Sequence, residues 1–238
     1  CDVILMLTVA ILAGGLATRL HPVTQTIPKS LVEVDGIPFI VRQLDFLQRQ
    51  GITDVVLCIG YLGERVKALV GDGSFFGLKV AYSLDGKQLM GTGGALRRAL
   101  PLLGDQFFVF YGDSYLPIDF SQVEEAFFKI GKPALMTVLR NENLWDKSNV
   151  LFRDGSILEY NKRIPTPDMT YIDYGLGILS TGVLCDKPLN EPFDLADVYH
   201  NLSVQGNLAG YEVFERFYEI GSLKGLEETV NYFQNREN

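Results

Sequence analysis

Five groups of residues in this chain have types and spacings that chemistry can use. The richest is LAGGLATRLHPVTQTIPKS, residues 12–30, where the adjacent Gly14 and Gly15 are followed by Arg19 and then by Pro28 and Lys29. Glycines after a strand let backbone N–H groups come close to a ligand, and such oriented N–H groups favour an anion. Two cations along the same loop can then close around a polyphosphate. The loop holds neither GxxxxGK[ST] nor GxGxxG, so it is not a P-loop or a dinucleotide fingerprint, and it implies another way of cradling phosphate. Read alone, it is also compatible with a tight turn carrying scattered surface charges.

The other four groups lie further along. Gly91-Thr92-Gly93-Gly94-Ala95 places glycine-rich backbone where a helix starts, an arrangement that aims N–H groups at a ligand. A flexible connection accounts for it equally well. Asp113 closes FFVFYGD, just past an apolar run. Ligands of open α/β sheets bind at that end of the strands, and Mg²⁺ commonly takes one or two protein carboxylates together with phosphate oxygens. Glu219, in YEVFERFYEIGS, can serve as a second carboxylate for the same metal. Each of these acids also reads as an ordinary loop or strand-end residue. Lys162, in EYNKR, reads by itself as a solvated charge.

The elements that must position these residues alternate along the chain. Val9–Leu12 is an apolar run of buried-strand type. Pro38 opens a helical pattern with Ile40, Val41, Leu44 and Leu47 on one face and Gly51 at its end. Strands are expected over residues 54–59, 78–83, 106–111 and 134–139, and helices over 64–70 and 95–100. Ser121 and Glu124 have the spacing of a capping box for a helix running through Ile130. Such alternation predicts an α/β fold, a Rossmann-like and mostly parallel sheet flanked by helices. After Arg140 the character changes. Asp154-Gly155 between two short strands predicts a hairpin, followed by a strand over 171–179, a helix over 195–204, strand material over 211–219 and a closing helix over 223–233. No linker or repeat interrupts the 238 residues, so one domain is expected, with a nucleotide-binding half over about 9–140 and a substrate-binding half over about 141–238, the half to which the resemblance described below assigns a sugar phosphate.

Composition narrows the partners. The net charge of −8 and the lack of a Lys/Arg cluster argue against nucleic acid and for small molecules. Cys1, Cys58 and Cys185 are far apart and odd in number, and no CxxC occurs, which fits a reducing, cytoplasmic setting. The apolar stretch over residues 3–13 is broken by Thr8 and is too short to span a membrane.

Taken together, these motifs resemble the sugar-1-phosphate nucleotidyltransferase family. The resemblance runs from about Val9 to the last helix and is most specific at LAGGxxxRLxPxTxxxPKxL, residues 12–31; GTGGAL, YGD, a lysine after a hairpin, and EIGS follow in the family's order. It implies the nucleotide-diphospho-sugar transferase fold and a set of roles. Leu12, Ala13, Gly14, Gly15, Gly91 and Thr92 would hold the nucleoside, and Arg19 the triphosphate. Lys29 would sit near the reacting α-phosphate, and Asp113 with Glu219 would bind Mg²⁺. Asn161, Lys162, Asp173 and Gly175 would bind the sugar phosphate. Arg19, Lys29 and Asp113 would carry catalysis.

The implied reaction joins an NTP to a sugar 1-phosphate, giving an NDP-sugar and pyrophosphate, for cell-surface polysaccharide or lipopolysaccharide precursors. The sugar phosphate is already an anionic nucleophile, so no general base is needed. GTP is favoured among the nucleotides, because GTGGAL in a short single domain looks most like mannose- and heptose-1-phosphate guanylyltransferases. A homodimer is compatible with the resemblance. Several positions depart from the family pattern: Glu219 replaces an aspartate, Asn161 a glutamate, Asp173-Tyr174 an Asn-Gly or Asn-Ala pair, and DGKQLM lacks a proline. Two other readings are a cytidylyltransferase for a non-sugar phosphate such as phosphocholine, and a non-catalytic regulatory protein that binds nucleotide-sugar.

Overall fold

Val9–Leu12 is apolar throughout because both of its faces are covered. Val9 and Ile11 pack into one hydrophobic layer and Ala10 into the other. The same alternation holds for Phe108 and Phe110 against Phe107 and Val109, as expected for strands buried on both faces. A computed structural model describes residues 6–15, 26–86 and 88–237. Its elements run β1 (Val9–Leu12), β2 (Glu33–Val34), β3 (Ile37–Pro38), α1 (Phe39–Arg49), β4 (Asp54–Ile59), α2 (Gly63–Val70), β5 (Lys79–Leu84), α3 (Gly91–Ala99), β6 (Gln106–Tyr111), β7 (Ser114–Tyr115), α4 (Phe120–Ile130) and β8 (Ala134–Arg140). They continue with β9 (Val150–Arg153), β10 (Ser156–Tyr160), β11 (Tyr171–Ser180), α5 (Gly182–Cys185), α6 (Leu195–Val204), β12 (Leu208–Val213), β13 (Tyr218–Glu219) and α7 (Leu223–Glu237). No helix among the described residues is long and apolar enough to cross a membrane.

One nine-stranded sheet has the order β5-β4-β1-β6-β11-β8-β12-β10-β9. The first four strands are parallel. The chain steps outward from β1 to β4 and β5, then crosses back to place β6 on the other side of β1. That reversal opens a crevice at the carboxyl ends of β1 and β6. The second half is more mixed than the sequence predicts. β11 runs antiparallel between β6 and β8, β8 and β12 are parallel, and β10 and β9 are antiparallel additions. An antiparallel strand buried on both faces has the same apolar composition as a parallel one, so β11 carried no signal of its direction.

Local chemistry accounts for most element ends. Gly51 follows α1 at φ +81°, and Asp154-Gly155 takes φ +48° and +75°, the type I′ hairpin geometry. The proposed capping box is a correction. The N-cap of α4 is Asp119, whose side chain accepts from the Ser121 N–H, while Glu124 is buried and accepts from the Leu7 N–H at 2.7 Å. Glu124 ties the chain before β1 to α4 and does not reach back to its own helix end. The expected strand material over 211–219 is broken after Val213. The separate strand β13 pairs with β7 and sets Glu219 opposite Ser114.

Candidate active site

The crevice is held open by close backbone packing at the strand ends. Gly112 N–H donates to Leu12 O at 3.0 Å, and Ala13 N–H to Cys58 O at 2.9 Å. A Cβ at Gly112 would sit 2.7 Å from Leu12 O, so only glycine lets the two strand ends approach this way. Two cavities of 380 and 400 Å³ occupy the crevice, and Tyr111 and Asp113 line both.

The first cavity brings together Leu12, Ala13, Gly14, Gly15, Lys29, Gly91, Thr92 and Asp113. The glycine-rich motif is the first turn of α3, not a loop ahead of it. Part of its backbone is already occupied: Gly93 and Gly94 N–H both point at Phe193 O, at 3.0 and 3.3 Å. The Thr92 hydroxyl donates to Asp194 and accepts from Leu195 N–H, fastening α3 to the start of α6. Any side chain at Gly93 would run into the Phe193 ring. Gly93→Ala is therefore expected to destabilise the fold by ~1–3 kcal/mol through overpacking, read as a lower denaturant midpoint. An unchanged midpoint would contradict this packing role.

Sequence reading missed Asp85, a buried residue in the DGKQLM segment that also lines this cavity. Its Oδ2 accepts from the Met90 N–H at 3.2 Å. Burial raises its pKa, against the opposing pull of that N–H and of Arg98. A lone Asp before a glycine reads as a turn, so nothing in the sequence marked it.

At the partition, Lys29 Nζ pairs with Asp113 Oδ2 at 2.5 Å. Glu219 approaches from the β13 side. The Gly221 N–H donates to its Oε2 and the Ser222 hydroxyl to its Oε1, the latter at 2.7 Å. Ile220 N–H bonds Asp113 O at 2.9 Å, locking the two acidic segments together. The place a Cβ would take at Gly221 lies 2.5 Å from Glu219 Oε2, 3.0 Å from Lys29 Nζ and 3.4 Å from Asp113 Oδ2. Two carboxylates and one ammonium thus face one small space that glycine leaves free. Each carboxylate oxygen retains a lone pair after one hydrogen bond, so the donor set suits a hard cation that also takes substrate oxygens. Among the described residues no cluster of three His, Cys, Asp or Glu offers a complete metal cage.

The second cavity is lined by Lys162, Asp173 and Gly175 and by Trp145 and Tyr174, whose rings both pack on Phe217. Burial pushes the Asp173 carboxyl up to about 6, while the Gly175 N–H and Lys162 pull it down. Asn161 lines neither cavity. Its amide donates to Glu159 Oε1 at 3.2 Å, and its oxygen accepts from the Ile164 N–H at 2.9 Å. Arg19 lies outside the described residues. Trp145, Tyr160 and Phe217 were not picked out from sequence, since single aromatic residues in loops and at strand ends look like core packing.

Residues 8–144 match the family model for Nucleotidyl transferase. This chain belongs to the nucleotidyl transferase family. The transferase is 28% identical over 189 residues to D-glycero-alpha-D-manno-heptose 1-phosphate guanylyltransferase of Campylobacter jejuni, covering 79% of this chain and 82% of that one. It is 35% identical over 221 residues to mannose-1-phosphate guanyltransferase of Aspergillus fumigatus, covering 90% and 60%. It is 41% identical over 112 residues to N-acetylmuramate alpha-1-phosphate uridylyltransferase of Neisseria meningitidis, covering 47% and 48%. The transferase thus spans about half to four fifths of these relatives. The crystal structure of HddC from Yersinia pseudotuberculosis complexed with GMP-PN superposes with a TM-score of 0.82, covering 96% of this chain and all of that one, at 24% identity. That likeness establishes the nucleotide-diphospho-sugar transferase fold.

Proposed function

We propose that this transferase moves a nucleotidyl group from an NTP to a sugar 1-phosphate, releasing pyrophosphate. The observation that carries this reading is the shared partition. Asp113 and Tyr111 belong to both cavities, so a nucleotide in the first and a sugar phosphate in the second would meet beside Asp113 and Lys29. The relatives' names, all sugar-1-phosphate nucleotidyltransferases, support it.

The glycine backbone of residues 12–15 and the wall of α3 would hold the nucleoside. Lys162, which makes no ion pair among the described residues, would hold the sugar's phosphate. Lys29 would face the α-phosphate and, once released from Asp113, neutralise charge that grows there as the sugar phosphate attacks and pyrophosphate leaves in line. Asp113 and Glu219 would hold Mg²⁺, which when bound supplies charge neutralisation on the phosphate oxygens. Positioning two mutually repelling anions is the main task.

GTP is the nucleotide this reading favours. Guanine presents two neighbouring donors, N1–H and the N2 amino group, on one edge, and Asp85 offers a buried carboxylate acceptor in the first cavity. Two of the three relatives described are guanylyltransferases, which agrees. The test is pyrophosphate release with each NTP against a panel of sugar 1-phosphates and phosphocholine, with and without Mg²⁺. GTP with a neutral sugar 1-phosphate is expected to be the most active pair. Tight nucleotide-sugar binding with no turnover in any combination would overturn the reading in favour of a regulatory protein.

A further inference from the structure

β11 does not run straight past β8. Asp173 pairs with Val138 and Gly177 with Met136, so β11 advances four residues where β8 advances two. The extra residues form a bulge, a device that re-aims a side chain beside a site. This bulge is locked. Thr137 Oγ1 donates to Leu176 O at 2.6 Å, Asn149 Oδ1 accepts from the Asp173 N–H at 3.0 Å, and Gly175, at φ +104°, donates its N–H to Asp173 Oδ1 at 3.0 Å. One oxygen of Asp173 is thereby pinned to its own strand. The other makes no hydrogen bond to any described group, and the residue lines the second cavity.

The charges around that cavity are unequal. Among its described lining residues Lys162 is the one cation, against Asp113, Asp146, Asp173 and Glu219. A sugar phosphate would occupy Lys162 with its phosphate. What remains beyond is Asp173, in a cavity that Tyr160, Trp145, Tyr174 and Phe217 also line. A carboxylate there accepts hydrogen bonds from hydroxyls on the sugar ring. A carboxylate on the sugar would instead face Asp173 with no second cation among the described lining residues to pair it, and such like-charge contact is how a site rejects a competitor.

We propose that the second cavity selects sugar 1-phosphates that carry no negative charge beyond the phosphate, and that Asp173 is the residue that sets this preference. The proposal rests on the sugar 1-phosphate reading above. It is tested by kcat/KM, at pH 8, for pairs that differ only at C6: glucose 1-phosphate against glucuronic acid 1-phosphate, and galactose 1-phosphate against galacturonic acid 1-phosphate, each with the most active NTP. The wild-type protein is expected to prefer the neutral member by roughly 100-fold, the order of a like-charge juxtaposition across a binding contact. In Asp173→Asn that ratio is expected to fall at least about tenfold, through a higher KM for the neutral sugar and a lower one for the uronate, with the KM for NTP unchanged. A purely structural role would move both KM values together and leave the ratio alone. Equal use of both members by the wild-type protein, or an unchanged ratio in the variant, overturns the preference while the reaction class stands. No pyrophosphate release with any sugar 1-phosphate overturns both.

Discussion

Asp113→Asn is expected to lower pyrophosphate release by at least ~10²–10³-fold at saturating substrates and Mg²⁺, the loss typical of removing one charge-stabilising contact. Asparagine keeps the shape of the side chain and one of its oxygens. It loses the negative charge that faces both Lys29, at 2.5 Å, and the space beside Gly221 onto which Glu219 also opens. Lys29 would no longer be held in place, and a cation would be left with one carboxylate in place of two. The fold should tolerate the change. The Asp113 side chain is 33% exposed, so the ion pair itself adds little to stability, and the bond that fastens this segment to β13 comes from the Asp113 backbone carbonyl. A thermal midpoint within a few degrees of the wild-type value, together with the collapse of kcat, is the expected pair of results. A variant that turns over at near wild-type rate would remove Asp113 from the chemistry and, with it, the reading of the partition as the reaction centre.

How much of this was legible in the sequence depended on how local each cause was. The parallel half of the sheet followed from apolar runs, and the hairpin at Asp154-Gly155 from a turn that needs two positive φ values. The cluster of Lys29, Asp113 and Glu219 could be named because each sits in a distinctive motif at the end of an element, although 84 residues separate the first two. Other features depend on contacts far along the chain. The glycines of α3 read as a helix start aimed at a ligand or as a flexible connection, yet Phe193, about a hundred residues later, takes two of their N–H groups. Glu124 fits a capping box by spacing, but Leu7 claims it. Asp85 and the bulge at Asp173 depend on what packs across from them, which no window of sequence displays. The direction of β11 had the same difficulty, because burial on both faces removes the alternation that would distinguish a strand with one wet face.

Asp173→Asn is expected to stabilise the protein at neutral pH while it impairs the use of the sugar. Burial raises the folded-state carboxyl from 3.8 to about 6, so the folded protein holds this proton more tightly than the unfolded chain does. A group of that kind contributes its full stability below about pH 4, and the contribution is lost as pH rises through about 6. Above that range the ionised carboxylate costs the fold on the order of 1–3 kcal/mol, at 1.36 kcal/mol per tenfold change in proton affinity and less where solvent reaches the group. An amide of the same shape can still accept from the Gly175 N–H and carries no charge to desolvate. At pH 7.5 the variant should therefore melt higher by ~2–12 °C for a chain of this size, and the two proteins should converge as the pH falls toward 4. A variant that melts below the wild type at pH 7.5 would mean that Lys162 and the bulge already compensate the charge, and the desolvation cost assigned to Asp173 would be wrong. The expected sign matters for function. A partly buried carboxylate that weakens the fold at working pH, set on a bulge that three hydrogen bonds lock and with one of its own oxygens pinned by the Gly175 N–H, does nothing for stability that asparagine would not do better. What distinguishes it from asparagine is its negative charge, and the cavity it faces is where that charge would act, on the hydroxyls of a bound sugar and against a carboxylate on the wrong one.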